Sequence, residues 1–235
     1  MSVDIHHLKL YHYPASRSAR AKWMLHEVVG DAFETERVAL YDGAQYSDEY
    51  LKRNPNHAVP LLEVTWSDGT VQRVIESAAI VAFLADAYPG AGLAPAPGCS
   101  PERADYLQML HFGSTWMDMM LWQVRIHENV LPDDQRDDRT IARYRHKFAT
   151  EAEPQVAERL ARMPYICGEN FTAADCVMGH TVFWARGYGL CQDEVFRGYV
   201  SRLSKRPAFV AAFADAREFV KQVPKDKPLV RRFTG

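Results

Sequence analysis

The chain has 235 residues, 47% hydrophobic and 25% charged, with 28 Lys and Arg against 30 Asp and Glu and a formal net charge of −2. That length holds one large or two small domains, and the near-balance of charge argues against nucleic acid or an anionic membrane as main partner. No apolar run approaches the ~20 residues that span a bilayer; the longest candidate, Val74 to Leu84, is broken by Glu76 and Ser77. The four cysteines, Cys99, Cys167, Cys176 and Cys191, show no CxxC and no metal spacing, and the histidines show no HExxH. Reduced thiols, no metal and a cytoplasmic location are the expectation.

The first third alternates between two periods. His7 to Tyr11 alternates as a strand, Arg17 to Val29 has a helical pattern that stops at Gly30, Phe33 to Leu40 reads as a second strand, and Tyr46 to Arg53 as a short polar helix. Val59 to Trp66 and Thr70 to Ile75 are two strands joined through Ser67-Asp68-Gly69, where Asp-Gly is a hairpin signal. Ser77 opens an Ala- and Leu-rich helix that ends at Pro89-Gly90. Strand, helix, strand, helix, strand, strand, helix predicts a small mixed sheet covered by helices.

Pro89, Gly90, Gly92, Pro95, Pro97, Gly98 and Ser100 make the segment 89–100 the clearest linker. Only helical patterns follow: Pro101 to Asn129, Gln135 to Met163 with a kink or break expected at Pro154, Thr172 to Tyr188, Asp193 to Leu203 and Ala208 to Val223. The chain therefore divides into an α/β domain over 1–88, the linker, and an all-α domain over 101–235.

Four local patterns recur in order along this frame. They are Tyr13-Pro14-Ala15-Ser16-Arg17-Ser18-Ala19-Arg20, Asn54-Pro55-Asn56-His57-Ala58-Val59-Pro60-Leu61-Leu62, Glu76-Ser77-Ala78-Ala79-Ile80, and Gly168-Glu169-Asn170-Phe171-Thr172-Ala173-Ala174-Asp175. Together they resemble the cytosolic glutathione S-transferases, bacterial-type with a serine active site: a thioredoxin-like N-terminal domain and an all-helical C-terminal one. The resemblance covers nearly the whole chain, and it implies glutathione as co-substrate, a homodimer and a role in detoxification.

The residues themselves suit that chemistry. Ser16 and Ser18 stand where a helix N-cap belongs, and a hydroxyl there can donate to an incoming sulfur while the helix dipole favours the thiolate. Lowering a thiol pKa by ~2 units takes about 2.7 kcal/mol. The dipole supplies about 0.3–1, up to ~2 kcal/mol, and a hydrogen bond to a charged group roughly 1.5–3 kcal/mol, so both are needed. Ser16 fits the serine-type pattern, with Ser18 as the alternative and Tyr11 or Tyr13 as weaker ones. The resemblance implies a cis Val59–Pro60 bond that turns the Val59 backbone toward the cysteinyl part of glutathione. Ser77, an N-cap by position, can take the γ-glutamyl carboxylate at the helix end and Glu76 its ammonium.

One departure stands out. The family often has Gly followed by Lys or Gln before Val-Pro, where this chain has His57-Ala58; His57, Lys52 or Arg53 is expected to stand in at the glycyl carboxylate. Thr172 and Asp175 form a capping box with Phe171 and Cys176 at the staple positions, a folding device. Met109, Phe112, Trp116, Met117, Met119, Met120 and Trp122 mark the long helix. By analogy its linker-side face forms the electrophile pocket, with Tyr13, Phe112 and Trp116 as candidates. The basic tail from Pro224 packs over the cleft or is disordered. The expected reaction is attack of the thiolate on a small apolar electrophile. Glutathione-dependent isomerisation, ether cleavage, dehalogenation, peroxide reduction, or a non-catalytic interaction protein are the alternatives.

Overall fold

The structure, a computed structural model, describes residues 4–222, the side chains of 218–222 excepted, so the basic tail lies outside the described residues. Strand β1 (Ile5–His12) leads through a turn into α1 (Ser18–Val29), then β2 (Glu34–Arg37), the single turn α2 (Asp48–Leu51), β3 (Leu61–Trp66), β4 (Val71–Ile75) and α3 (Ser77–Ala87). The sheet order is β2-β1-β3-β4, with β1 and β2 parallel and β3 antiparallel to both β1 and β4. This is the mixed sheet that the element order predicts. The second strand is shorter than its hydrophobic pattern, because Phe33 leaves the ladder to pack edge-on against His26 at 4.9 Å.

Strand alternation decides which side chains reach which face. Leu8 and Leu10 face α1 and α3 together with Leu62 and Val64, whereas Tyr11 and Leu61 face the other way, toward Val38 and Tyr50. His12 shares the parity of Leu8 and Leu10 and is buried beneath α1. The hairpin forms as expected: Trp66 N–H donates to Thr70 C=O at 2.8 Å, Gly69 takes φ +84°, and Asp68 Oδ1 accepts Thr70 N–H at 2.8 Å.

Beyond the linker come α4 (Pro101–His111) and α5 (Asp118–Arg125), one continuous helical run joined by a wider π-type turn at Phe112–Met117. Helices α6 (Asp138–Lys147) and α7 (Glu153–Arg162) are joined likewise through Phe148–Ala152, so the break expected at Pro154 is a wide turn just before it. Helices α8 (Ala173–Gly187), α9 (Glu194–Leu203) and α10 (Pro207–Gln222) complete the described chain. The capping box is present, with Thr172 N–H on Asp175 Oδ2 at 2.8 Å. Asp175 Oδ1 also accepts Ile166 N–H at 2.9 Å and the Tyr199 hydroxyl at 2.7 Å. Those bonds tie three segments together and reach no cleft.

The two halves share one continuous core. Trp23 of α1 sits at its centre, with ring centroids 5.6 Å from Phe171, 4.9 Å from Phe209 and 6.2 Å from Phe213. Close approach of α8 needs Gly179, where an added Cβ would lie 2.4 Å from Leu203 Cδ1 and 3.4 Å from Trp23. Helix α1 is thereby fixed between the sheet and the helical layer, and its N-terminal end carries the first cluster of chemistry.

Candidate active site

The β1–α1 turn is closed by two serines. Ser16 is half-buried; its Oγ lies 2.7 Å from Tyr13 C=O and 2.7 Å from Ser18 Oγ, and it accepts Ser18 N–H at 3.2 Å. Ser18 is 0% exposed and fully engaged: its Oγ accepts Tyr13 N–H at 3.0 Å and lies 2.7 Å from His12 Nδ1. The residue before α1 is Arg17 and makes no side-chain cap, so neither serine is an N-cap as its position suggests; both brace the turn. Of the two, Ser16 is the one with exposed surface.

The Val59–Pro60 peptide is cis. Ala58 C=O is held by Tyr50 Oη at 2.7 Å and Asn54 Nδ2 at 2.8 Å, which explains the Asn at the head of the Asn-Pro…Val-Pro segment. Val59, like Ala15, Leu40 and Tyr41, packs against the cluster of Tyr13, so this loop and the serine turn adjoin. The candidate glycyl-carboxylate ligands are placed unequally. His57 is exposed at φ +42° with its ring 4.9 Å from that of Tyr46. Lys52 is exposed, and Arg53 is paired with Glu49 at 2.9 Å.

Glu76 and Ser77 differ from the simple cap expected of them. Glu76 takes the N-cap place at φ +70° and ψ +113°, a strained conformation for a residue with a Cβ, and its side chain makes no cap. Ser77 is the first residue inside α3, and its Oγ accepts Arg20 Nη1 at 3.1 Å. The reason is local: the turn needed to leave β4 puts Glu76 out into solvent and Ser77 inward. The amide end of α3 is left without a side-chain cap, which suits it to an external carboxylate.

Beneath this lies an ion cluster that the sequence reading did not single out. Arg20 is 0% exposed and donates to Asp118 Oδ2 at 2.7 Å, Thr181 Oγ1 at 2.9 Å, His180 Nδ1 at 3.1 Å and Ser77. Arg17, next to Ser16, forks onto the same Asp118 with contacts of 2.6–2.9 Å. Its guanidinium lies 4.8 Å from the Trp122 ring and 5.1 Å from that of Trp184. Burial alone would raise the Asp118 carboxyl, but Arg20 and Arg17 outweigh it and hold it below the usual range. His180 is kept neutral by burial and by Arg20. The wide turn before Asp118 sets its rotation toward α1; such turns often mark functional positions. The only sequence hint was the i, i+3 pair Arg17 and Arg20, since Asp118, His180 and Thr181 lie about 100–160 residues away.

The alternative donors separate. Tyr11 faces away, its hydroxyl on Glu63 Oε2 at 3.0 Å, and burial with the adjacent carboxylate pushes it up to about 12. Tyr13 stays beside Ser16, packed on Tyr41 at 5.8 Å, with its phenol raised by burial. The electrophile-pocket trio is not brought together. Phe112 and Trp116 line a groove of about 860 Å³ with Gln108, His111, Thr115, Thr150, Glu151 and others, in which Tyr13 has no part. Lys147 covers the Trp116 ring at 4.6 Å. The residues of the α4–α5 run that do reach the serine side are Asp118, Trp122 and, half-buried, Arg125, whose charge burial disfavours and whose field reaches Tyr13, Tyr41 and Tyr188. They lie on another face of the same helical run. Among the described residues no cluster of metal-ligating side chains occurs, and no helix is long and apolar enough to cross a membrane.

Comparison with known proteins agrees with this fold. Residues 6–86 match the family model for the glutathione S-transferase N-terminal domain. Over 205 residues the chain is 26% identical to glutathione S-transferase GstA of Escherichia coli O157:H7, covering 85% of this chain and 94% of that one. It is 34% identical to the maleylacetoacetate isomerase of Rhizobium meliloti over 94 residues, 40% of this chain and 42% of the relative. Among solved structures, the ternary complex of BphK, a bacterial GST, superposes with TM-score 0.76 at 29% identity, covering 89% and 99% of the two chains. A glutathione transferase from Phanerochaete chrysosporium, determined with oxidized glutathione, has TM-score 0.79 at 20% identity over 95% and 100%, a likeness of fold.

Proposed function

Because the chain belongs to the glutathione S-transferase family, we propose that it binds glutathione across the β1–α1 turn, the cis-Pro loop and the start of α3, and activates its thiol for attack on a small electrophile. The observation that carries this reading is the end of α3, where a strained Glu76 and an uncapped set of amides stand over Ser77 and Arg20. The γ-glutamyl carboxylate meets those amides, and the Glu76 carboxylate meets its ammonium. The Val59 backbone, bonded to no other backbone group among the described residues, pairs with the cysteinyl unit. His57 or Lys52 takes the glycyl carboxylate; Arg53 is already committed to Glu49.

Ser16 then faces the sulfur. Its hydroxyl, the start of α1 and the Arg17 guanidinium act together on the thiolate, supplying charge stabilisation and position without a covalent protein intermediate. The electrophile enters beside Tyr13, Tyr41 and Trp122, and Phe112 and Trp116 are left to the separate groove. The protein works in the cytoplasm as a homodimer. A second reading, glutathione-dependent isomerisation, draws on the 34% identity to an isomerase over 94 residues. Calorimetry with glutathione, followed by conjugation of a chloronitrobenzene and isomerisation of a cis-enone by wild type and Ser16→Ala, tests these. No binding at millimolar glutathione refutes both, and unchanged turnover in Ser16→Ala refutes the role given to Ser16.

A further inference from the structure

Behind Ser16 runs an unbroken line of hydrogen-bonding atoms that ends on α10. Ser16 Oγ lies 2.7 Å from Ser18 Oγ, Ser18 Oγ lies 2.7 Å from His12 Nδ1, and His12 Nε2 lies 3.1 Å from Asp215 Oδ2 of α10. Ser18 and His12 are 0% and 2% exposed, so the middle of the line is closed to water; its ends are Ser16, half-buried, and the Asp215 side chain, 33% exposed and held by Lys22. We propose that it is a proton relay, in which the glutathione thiol proton passes inward to His12 and Ser16 is left turned outward as the donor to the thiolate. This rests on the proposed glutathione site and assigns the group that receives its proton.

The direction of each bond follows from the charges at the inner end. Asp215 Oδ2 also accepts Lys22 Nζ at 2.5 Å. Burial opposes ionisation of Asp215, but the bonds from His12 and Lys22 outweigh it and keep it a carboxylate. A carboxylate accepts only, so His12 Nε2 carries the hydrogen and Nδ1 presents its lone pair. A lone pair at Nδ1 needs a donor, so Ser18 Oγ donates to it at 2.7 Å in preference to Tyr13 C=O at 3.0 Å, and accepts Tyr13 N–H with a lone pair. Ser16 then donates inward too, to Ser18 Oγ or to Tyr13 C=O at 2.7 Å. In this resting state Ser16 offers an incoming sulfur lone pairs and no hydrogen. That polarity is wrong for holding a thiolate and right for accepting an S–H.

One concerted shift reverses it. The S–H bond breaks and its proton joins Ser16 Oγ; the Ser16 proton moves to Ser18 Oγ, and the Ser18 proton to His12 Nδ1. The S–H electron pair stays on sulfur, the imidazolium is held against Asp215, and every hydroxyl now points outward. After the sulfur has bonded to the electrophile, the proton returns by the same path to water as the product leaves. Among the described residues the charged groups facing His12 are Asp215 and Lys22: the first favours the imidazolium, while burial and the second oppose it. His12 therefore holds the proton only while the thiolate is present.

The relay predicts a proton count. Calorimetric titration of glutathione at pH 7 in two buffers of different ionisation enthalpy gives the protons released, and ultraviolet absorbance of the same complex gives the thiolate formed. Wild type is expected to form thiolate while releasing well under half a proton per thiolate, and His12→Asn to release about one for each thiolate that still forms. Ser18→Ala, a small change in the same wire, is expected to reduce the thiolate fraction with Ser16 still in place. Asp215→Asn is expected to raise the apparent pKa of the bound thiol by about one unit or more. Release of one proton per thiolate by wild type overturns the relay while leaving glutathione binding intact, and needs no variant to fold. Absence of any binding heat overturns the glutathione site itself.

Discussion

Replacing Asp118 by Asn removes the only carboxylate that, among the described residues, is bonded to the fully buried Arg20 guanidinium, while changing almost nothing in shape. Arg20 keeps Ser77, Thr181 and His180, all of them neutral acceptors. Breaking a buried pair from one side leaves an uncompensated charge and costs about 3–5 kcal/mol. Arg17 adds little to that sum. It is 32% exposed, and such pairs are worth about 0–1 kcal/mol. For a chain of this size the loss lowers the melting temperature by roughly 6–20 °C. Urea unfolding of Asp118→Asn beside Arg17→Ala measures both. A loss in Asp118→Asn below about 1 kcal/mol, or one equal to that of Arg17→Ala, refutes the view that the cluster is held by Arg20.

The same group sets a pH dependence. The folded Asp118 carboxyl lies below its unfolded value of about 3.9. Its contribution is therefore present in full above that value and is lost as pH falls through the depressed folded one. Asp118→Asn should flatten the acid limb of the stability curve. A limb as steep as that of wild type contradicts the assignment.

Three further outcomes follow from named contacts. Gly179→Ala drives a Cβ to 2.4 Å from Leu203 Cδ1 and should cost about 1–3 kcal/mol by overpacking; unchanged stability in urea would show that the α8–α9 approach is slack. Glu76→Gly relieves about 1–3 kcal/mol of backbone strain against roughly 1 kcal/mol of added chain entropy, so stability should hold or rise. Its KM for glutathione should meanwhile increase several-fold, and an unchanged KM would remove Glu76 from the site. Cys99 is exposed while Cys176 and Cys191 are buried, and burial pushes the Cys167 thiol up to about 12. A thiol reagent at pH 7.5 should label Cys99 first in the native protein, with Cys176 and Cys191 labelled only on unfolding.

What the sequence disclosed follows the range of the interactions. The serine turn, the cis-Pro loop, the start of α3 and the capping box are each written in fewer than ten consecutive residues, and all were legible. Their detailed roles shifted wherever backbone geometry intervened. Ser77 read as a cap, but the positive φ of Glu76 moves it one place inside the helix and onto Arg20. The ion cluster and the His12–Asp215 contact join residues about 100–200 positions apart. No local pattern encodes them, since they depend on the rotation of α5 after a wide turn and on α10 packing against α1. The same rotation separates Phe112 and Trp116 from Tyr13: an aromatic stripe at helical spacing identifies a helix face without saying which cleft it meets.

The central claim is that Ser16 stabilises a glutathione thiolate, and the most direct test is the thiol pKa of bound glutathione, followed by ultraviolet titration of the binary complex. Wild type should bring it roughly 2 units below the ordinary thiol value of about 8.5, and Ser16→Ala should return about half or more of that shift with glutathione still bound. A bound thiol that titrates at its free value in wild type, or equally low in both proteins, contradicts the account.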